Sequence, residues 1–223
     1  MLVTSLLPAA VLWDLDGTLI DSEPFWLTAE RSLVAEYGVE WTDVDGLSLV
    51  GKGLMDSGRY LQSRGVDMDP ADIVDRLVTE VRLLLQNDIP WRPGALDLLR
   101  SVHDAGIPQV LVTMSYRSLA DIVVNDLGFL AASITGDEVT HSKPHPEPYH
   151  LGAAAVQANI RHCVAFEDSK PGVASATASG ATTIAVPLHV PLPENPTEYD
   201  TWHTLVGRTV VDIAAVYTQR TTR

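Results

Sequence analysis

Two aspartates, Asp14 and Asp16, stand two positions apart at the end of an apolar run, directly before Gly17 and Thr18. Residues two apart on a strand face the same way, so both carboxylates can share one site while Leu15 packs into the core. Three more polar groups follow apolar runs or lie in a loop: Thr113-Met114-Ser115, Lys143-Pro144 and Glu167-Asp168. Adding Asp168 to the aspartate pair increases its charge repulsion unless a divalent cation sits among the three. An all-oxygen donor set with room for water suits Mg²⁺. Glu167 and Asp168 are adjacent and point in different directions, so Asp168 is expected to bind the metal directly and Glu167 through water.

The elements that must hold these groups are visible in the hydrophobic pattern. Residues 9–13, 109–113, 163–166 and 182–186 are nearly continuous apolar or β-branched runs, as in strands buried on both faces. Between them, Leu98, Leu99 and Val102, then Leu119, Ile122, Val123 and Leu127, then Val173, Ala176 and Thr177 recur at helical spacing. This alternation predicts an α/β fold, a Rossmann-like doubly wound parallel sheet, in which ligands bind beyond the carboxyl ends of the strands. The four polar groups fall there. Residues 21–90 break the rhythm, with Trp26, Ala29, Leu33 and Tyr37 fitting one helix and Ile73, Leu77, Val81 and Leu84 another. A helical domain at 21–90, inserted into a core of 1–20 and 91–223, is the expected organisation. Asp21 and Ser22, before Glu23-Pro24, read as a helix start. Residues 186–196 read as a surface loop with no catalytic role, and 205–211 with the "DIAAVY" that follows as a last strand and helix.

Composition narrows the function. Fifteen Lys plus Arg against 29 Asp plus Glu give a net charge of −14, which repels nucleic acid and anionic lipid. With 46% hydrophobic and 20% charged residues the chain is expected to fold as a globular protein. No apolar run approaches the roughly 20 residues needed to span a bilayer, and the apolar N-terminal stretch lacks the basic residues of a signal peptide. The single cysteine, Cys163, reads as a buried structural thiol, which suits a reducing cytoplasm. His141, His145 and His150 share one segment, but no second ligand cluster accompanies them in sequence, so zinc is not expected.

Taken together, "DLDGT", the Thr113 strand end, "SKPHPEPY" and "FEDSKPGVASATASG" resemble, in order, the motifs of the haloacid-dehalogenase-like phosphatase superfamily. The resemblance implies an α-helical cap over a Rossmann-like core and a Mg²⁺-dependent phosphatase. In it Asp14 is the nucleophile that becomes an aspartyl phosphate, and Asp16 the general acid and base. Mg²⁺ is implied at the Asp14 carboxylate, the Asp16 carbonyl and Asp168. Lys143, Thr113 and backbone N–H groups around Gly17 and Met114 are implied as phosphate ligands. Ser115 has two readings, phosphate contact or cap of the next helix. Within the cap, "GKGLMDSGR" from Gly51 to Arg59 is the candidate substrate-facing loop, in which Lys52 is either a cation that reaches the substrate or a solvated turn residue.

Among subfamilies, "DSEPFW" with a long helical cap looks most like the sugar and sugar-alcohol phosphate phosphatases, with Glu23, Trp26 and Lys52 as specificity candidates. Similar β-phosphoglucomutases carry a cap histidine where Trp26 stands and often lack the threonine after the first-motif glycine. Both departures favour hydrolysis over mutation. The expected partner is a small phosphorylated metabolite, and the protein a monomer or weak homo-oligomer. The alternatives are a phosphomutase and, outside enzymes, a phosphoacceptor signalling domain. A dehalogenase is disfavoured, having no use for the metal carboxylates or for Asp16.

Overall fold

In the computed structural model, which describes residues 6–195 and 197–222, the chain begins with strand β1 (Ala10–Trp13). It then makes four consecutive helices, α1 (Glu23–Glu36), α2 (Asp43–Leu47), α3 (Leu54–Arg64) and α4 (Pro70–Asn87). Alternation resumes with α5 (Ala95–Asp104), β2 (Gln109–Val112), α6 (Arg117–Leu127), β3 (Ala132–Ile134) and α7 (Glu147–Ala155). The chain ends with β4 (Cys163–Glu167), α8 (Lys170–Ser179), β5 (Thr182–Ala185), β6 (Tyr199–Thr201) and α9 (Val210–Thr221). Residues 1–5, 196 and 223 lie outside this description, and with them the start of the apolar N-terminal stretch and the end of the Pro-rich loop.

The sheet has strand order β3-β2-β1-β4-β5-β6 with every pairing parallel. Alternate residues of its central strands enter two separate cores. Val11, Trp13, Leu111, Val164 and Phe166 join the apolar faces of α5, α6 and α9, whereas Ala10, Leu12, Val110 and Ala165 meet Tyr149 and Ala153 of α7 and Ala176 of α8. A strand covered on both sides has no position for a polar side chain unless that group is satisfied, which explains the continuous apolar runs. Trp13 stacks on Phe166 at 4.3 Å between centroids, and its Nε1 donates to Gln109 Oε1 at 2.9 Å, so the buried indole keeps its hydrogen bond.

The helical insertion belongs to the first of these cores. Ala29, Leu33 and Val34 of α1 and Ile73, Leu77 and Val81 of α4 are buried in the same cluster as Trp13. Pro70 at the first turn of α4 follows Asp69, whose carboxylate accepts from Ala71 N–H and so satisfies one orphan donor of the helix. The two segments that connect insertion and sheet run side by side. Asp21 N–H donates to Pro90 O at 2.8 Å, Arg92 N–H donates to Leu19 O at 2.9 Å, and Ile20 bridges Trp91.

Two expectations are corrected. The last strand is β6 at Tyr199–Thr201, not 205–211, where Leu205 is a buried loop residue that packs ahead of α9. A three-residue edge strand has no run of apolar residues to announce it. In "GKGLMDSGR" only Gly51–Gly53 form the turn, since α3 starts at Leu54 and Arg59 pairs with Asp56 on its exposed side.

Candidate active site

The parallel sheet brings the carboxyl ends of β1, β2 and β4 together, and the predicted residues converge there. Asp14 follows β1 directly and extends its ladder, its N–H donating to Phe166 O at 3.1 Å. The Asp14 Oδ1 atom lies 2.7 Å from Lys143 Nζ, while its Oδ2 is buried without a hydrogen-bond partner. Lys143 Nζ also reaches Glu167 Oε1 at 2.6 Å and donates to Val112 O at 2.9 Å, with a side chain only 1% exposed. Tyr149 O–H donates to the same Glu167 oxygen at 2.7 Å. An ammonium is thus taken out of water between two carboxylates, a carbonyl and a phenol.

The electrostatics follow from this crowding. Burial pushes the Asp14 carboxyl up to about 7, Glu167 and Asp16 add to the rise, and Lys143 opposes it. Asp168 is raised well above the usual carboxylate range, chiefly by burial and then by Asp14 and Glu167. For Lys143, burial disfavours the charge, but Asp14 and Glu167 outweigh it and hold the ammonium above its ordinary value. Asp14, Glu167 and Asp168 each bring a carboxylate oxygen to within 4.8 Å of the others, all buried. This excess of buried negative charge, the orphaned Asp14 oxygen and the all-oxygen donor set fit a hard divalent cation. Gly17 makes the approach of Asp168 possible: it has φ +83°, and a Cβ there would lie 2.0 Å from Asp168 Oδ2.

Asp16 is organised differently, by hydroxyls. Ser22 Oγ donates to its Oδ1 at 2.6 Å, while Ser115 Oγ at 2.7 Å and Thr113 Oγ1 at 3.2 Å donate to its Oδ2. Ser115 does not cap the next helix, whose N-cap is Tyr116; its hydroxyl is committed to Asp16. Ser22 occupies the N-cap position of α1 as its sequence suggests, yet makes no side-chain cap bond, because its hydroxyl too is turned to Asp16.

One cavity runs from this cluster into the insertion. Asp14, Asp16, Gly17, Thr113, Met114, Ser115, Lys143 and Asp168 line one end, and Glu23, Trp26, Glu30 and Lys52 the other. Glu167 lies behind Lys143 and does not reach the cavity. His189, from the Pro-rich loop, adds to the wall and bonds Asp21 through Nε2 at 2.6 Å. Lys52 Nζ is held 5.6 Å from the Tyr60 ring centroid, at the side where the cavity meets a wider outer one.

Sequence reasoning missed four residues. Tyr149 lies inside the "SKPHPEPY" string, where nothing in the sequence points to its bond with Glu167. Glu30 stands seven positions after Glu23, the spacing of one helix face. Ser22 reads as a helix start close to the site, and its partner Asp16 is not evident from the sequence. Arg92 carried no signal: it is 7% exposed, bonds Gly17 O, and donates to Val186 O at 2.7 Å, tying the turn after Asp16 to the end of β5. His141, His145 and Glu147 form a further, surface group of possible metal ligands, without His150. Glu147 there is already an acceptor for Thr140 N–H, His141 N–H and the His141 ring.

Comparison with known proteins places this geometry. A family model described as haloacid dehalogenase-like hydrolase matches residues 8–180. Hexitol phosphatase A of Escherichia coli K12 is 33% identical over 178 residues, covering 78% of this chain and 81% of that protein. Fructose-1-phosphate phosphatase YqaB of the same organism is 27% identical over 184 residues, covering 81% of this chain and 97% of that one. The crystal structure of β-phosphoglucomutase from Clostridium difficile superposes with a TM-score of 0.82 at 21% identity, covering 97% of this chain and 100% of that chain.

Proposed function

The chain belongs to the haloacid dehalogenase-like hydrolase family, and from that premise we propose that it is a Mg²⁺-dependent phosphatase of small phosphorylated metabolites, sugar or polyol monophosphates foremost. The observation that carries the reading is Asp14, with one oxygen fixed by Lys143 and the other buried and unpartnered on the cavity floor. The named phosphatases among its relatives support the substrate class.

In this mechanism Asp14 Oδ2 attacks phosphorus and the bond to the leaving oxygen breaks, giving an aspartyl phosphate. Asp16 delivers a proton to the departing oxygen, which would otherwise leave as a strongly basic alkoxide. In the second half Asp16 accepts a proton from water as the water oxygen displaces Asp14 from phosphorus. Ser22, Ser115 and Thr113 hold the Asp16 carboxyl in place for both transfers. Lys143 keeps Asp14 oriented and presents positive charge to the phosphoryl oxygens, joined by the N–H groups around Gly17 and Met114. Asp14, Asp168 and the Asp16 carbonyl would hold Mg²⁺, with Glu167 acting through water, and the cation supplies charge neutralisation between phosphate and carboxylates.

The helices from residue 21 to residue 90 act as a cap in this reading. The cavity between cap and core is about 70 Å³ and adjoins a wider one at Lys52 and Ser169. In this reading the cap lifts to admit substrate, and its closure excludes water from the phosphoryl group. The unpaired, buried Cys163 thiol supports a reducing compartment such as the cytoplasm. Release of inorganic phosphate from a panel of monophosphates with Mg²⁺ tests the proposal. No release from any of them by a Mg²⁺-binding wild type, or full activity in Asp14→Asn, overturns it. Faster interconversion of sugar phosphate isomers than phosphate release would assign a phosphomutase instead.

A further inference from the structure

The cap end of the cavity carries an arrangement that the phosphatase reading does not use. Helix α1 presents Glu23, Trp26 and Glu30 at positions i, i+3 and i+7, and all three line the cavity that holds Asp14 and Asp16. Glu30 is 4% exposed and its Oε2 is buried with no hydrogen-bond partner. Neither glutamate forms a salt bridge among the described residues, although both are largely withdrawn from water. Trp41 faces Glu30 with its own Nε1 buried and unpartnered; its dipole favours the carboxylate without reaching hydrogen-bond geometry. Gly46 of α2 closes the back of this pocket, where a Cβ would stand 2.9 Å from Glu30 Oε2 and 2.2 Å from Leu27 Cδ2. The remaining side chains at this end are Leu49, Val50, Leu54 and Leu77, with one hydroxyl, Ser57.

A buried carboxylate without a partner is destabilising, and it is kept where something else supplies the partner. What fits two such acceptors flanking an indole face is a group that donates hydrogen bonds and carries no negative charge. Neither nearby cation offsets the pair: Lys52 holds its ammonium over Tyr60 toward the outer cavity, and Arg31, which lowers the Glu30 value without outweighing burial, is committed to Asp43. We propose that Glu23 and Glu30 form a subsite for the leaving alcohol. The subsite accepts O–H or N–H donors from a polyhydroxy or amino alcohol and rejects leaving groups with a second phosphate or a carboxylate at that end. The proposal rests on the phosphatase reading and adds its selectivity: monophosphates of neutral or aminated alcohols are substrates, and bisphosphates and phosphorylated acids are not.

The test compares kcat/KM across matched pairs at pH 9, above the values of about 7 and about 8 to which burial raises Glu30 and Glu23, so that both act as carboxylates. Glucose 6-phosphate is set against 6-phosphogluconate, and glycerol 1-phosphate against 3-phosphoglycerate, with glucosamine 6-phosphate, fructose 1,6-bisphosphate and p-nitrophenyl phosphate alongside. The wild type is expected to favour the neutral or aminated member of its better pair by at least about tenfold, the worth of one hydrogen bond to a charged acceptor. Glu30→Gln, which keeps the shape but adds an N–H₂ donor for an anion, narrows that ratio by a similar factor; Glu23→Gln provides the same reading if Glu30→Gln does not fold. Whether glucose or glucosamine 6-phosphate is preferred identifies the donor as hydroxyl or amine. Equal or better hydrolysis of the acids and bisphosphate, hydrolysis confined to the aryl phosphate, or a ratio unchanged in both variants overturns the subsite while leaving the phosphatase intact. No phosphate release from any compound overturns the phosphatase itself.

Discussion

The strand-end cluster of Asp14, Glu167 and Asp168 and the α1 pair of Glu23 and Glu30 use the same functional group, withdrawn from water, in opposite ways. In the sheet the protein supplies partners: Lys143 bridges Asp14 and Glu167, and Tyr149 donates to Glu167. In the insertion it supplies almost none. Burial pushes the Glu30 carboxyl up to about 7 and the Glu23 carboxyl up to about 8, with neighbouring acids adding to the rise at Glu23. A carboxylate that must perform chemistry is pre-organised by fixed charges, whereas one that must recognise a variable group is left with open valences.

The largest expected effect lies on the core side. Asp14→Asn keeps the shape and removes the proposed nucleophile, so phosphate release should fall by at least about 10⁴-fold with an unchanged circular dichroism spectrum. Retained activity would reduce the core cluster to a structural device. Next, Lys143→Met leaves Asp14 and Glu167 buried without their ammonium, a change worth about 3–5 kcal/mol of stability in urea unfolding. An unchanged midpoint would mean that the core carboxylates are as unpaired as those of α1.

Asp14 and Glu30 are both raised by burial, but only Asp14 has a buried ammonium, Lys143, to oppose the rise. The Glu30 value is raised from 4.5 to about 7 on folding, so the folded state holds a proton that the unfolded chain has released. Stability is therefore full below about pH 4.5 and declines as pH rises through about 7. Glu30→Gln should match the wild type at pH 4.5 and exceed it at pH 8 by about 2–3 kcal/mol in urea unfolding. An equal difference at both pH values would remove the contrast between the regions. The smallest effect is expected for Tyr149→Phe, which takes one donor from Glu167 and costs about 1–2 kcal/mol of thermal stability.

How far the sequence reveals this depends on which force shapes each part. The central strands are legible because burial on both faces excludes polar residues, so β1, β2, β4 and β5 appear as apolar runs. The edge strands β3 and β6 are three residues long and only partly covered, and their positions follow from tertiary pairing. Helix α7, rich in small residues, packs flat on the sheet and lacks a strong apolar stripe. In the site, Asp14, Asp16, Lys143 and Asp168 are legible because motif and strand end coincide. Glu30 is not, since a glutamate seven residues into a helix reads as a solvent-facing charge until a cavity is found beside it. Ser22 and Arg92 are legible only by their partners, which lie in the "DLDGT" turn.

Those two residues stand on either side of the insertion, one where the chain leaves the sheet and one where it returns, and both grip the same turn. Ser22 bonds the Asp16 carboxylate and Arg92 the Gly17 carbonyl. The crossing points thus belong to the framework of the strand-end site, and everything between residues 23 and 90 can be exchanged without removing either grip. For recombination between relatives, whether by evolution or by design, breakpoints just inside this pair exchange the helices that line the cavity and leave the support of Asp16 intact. Breakpoints just outside it separate Asp16 from its support.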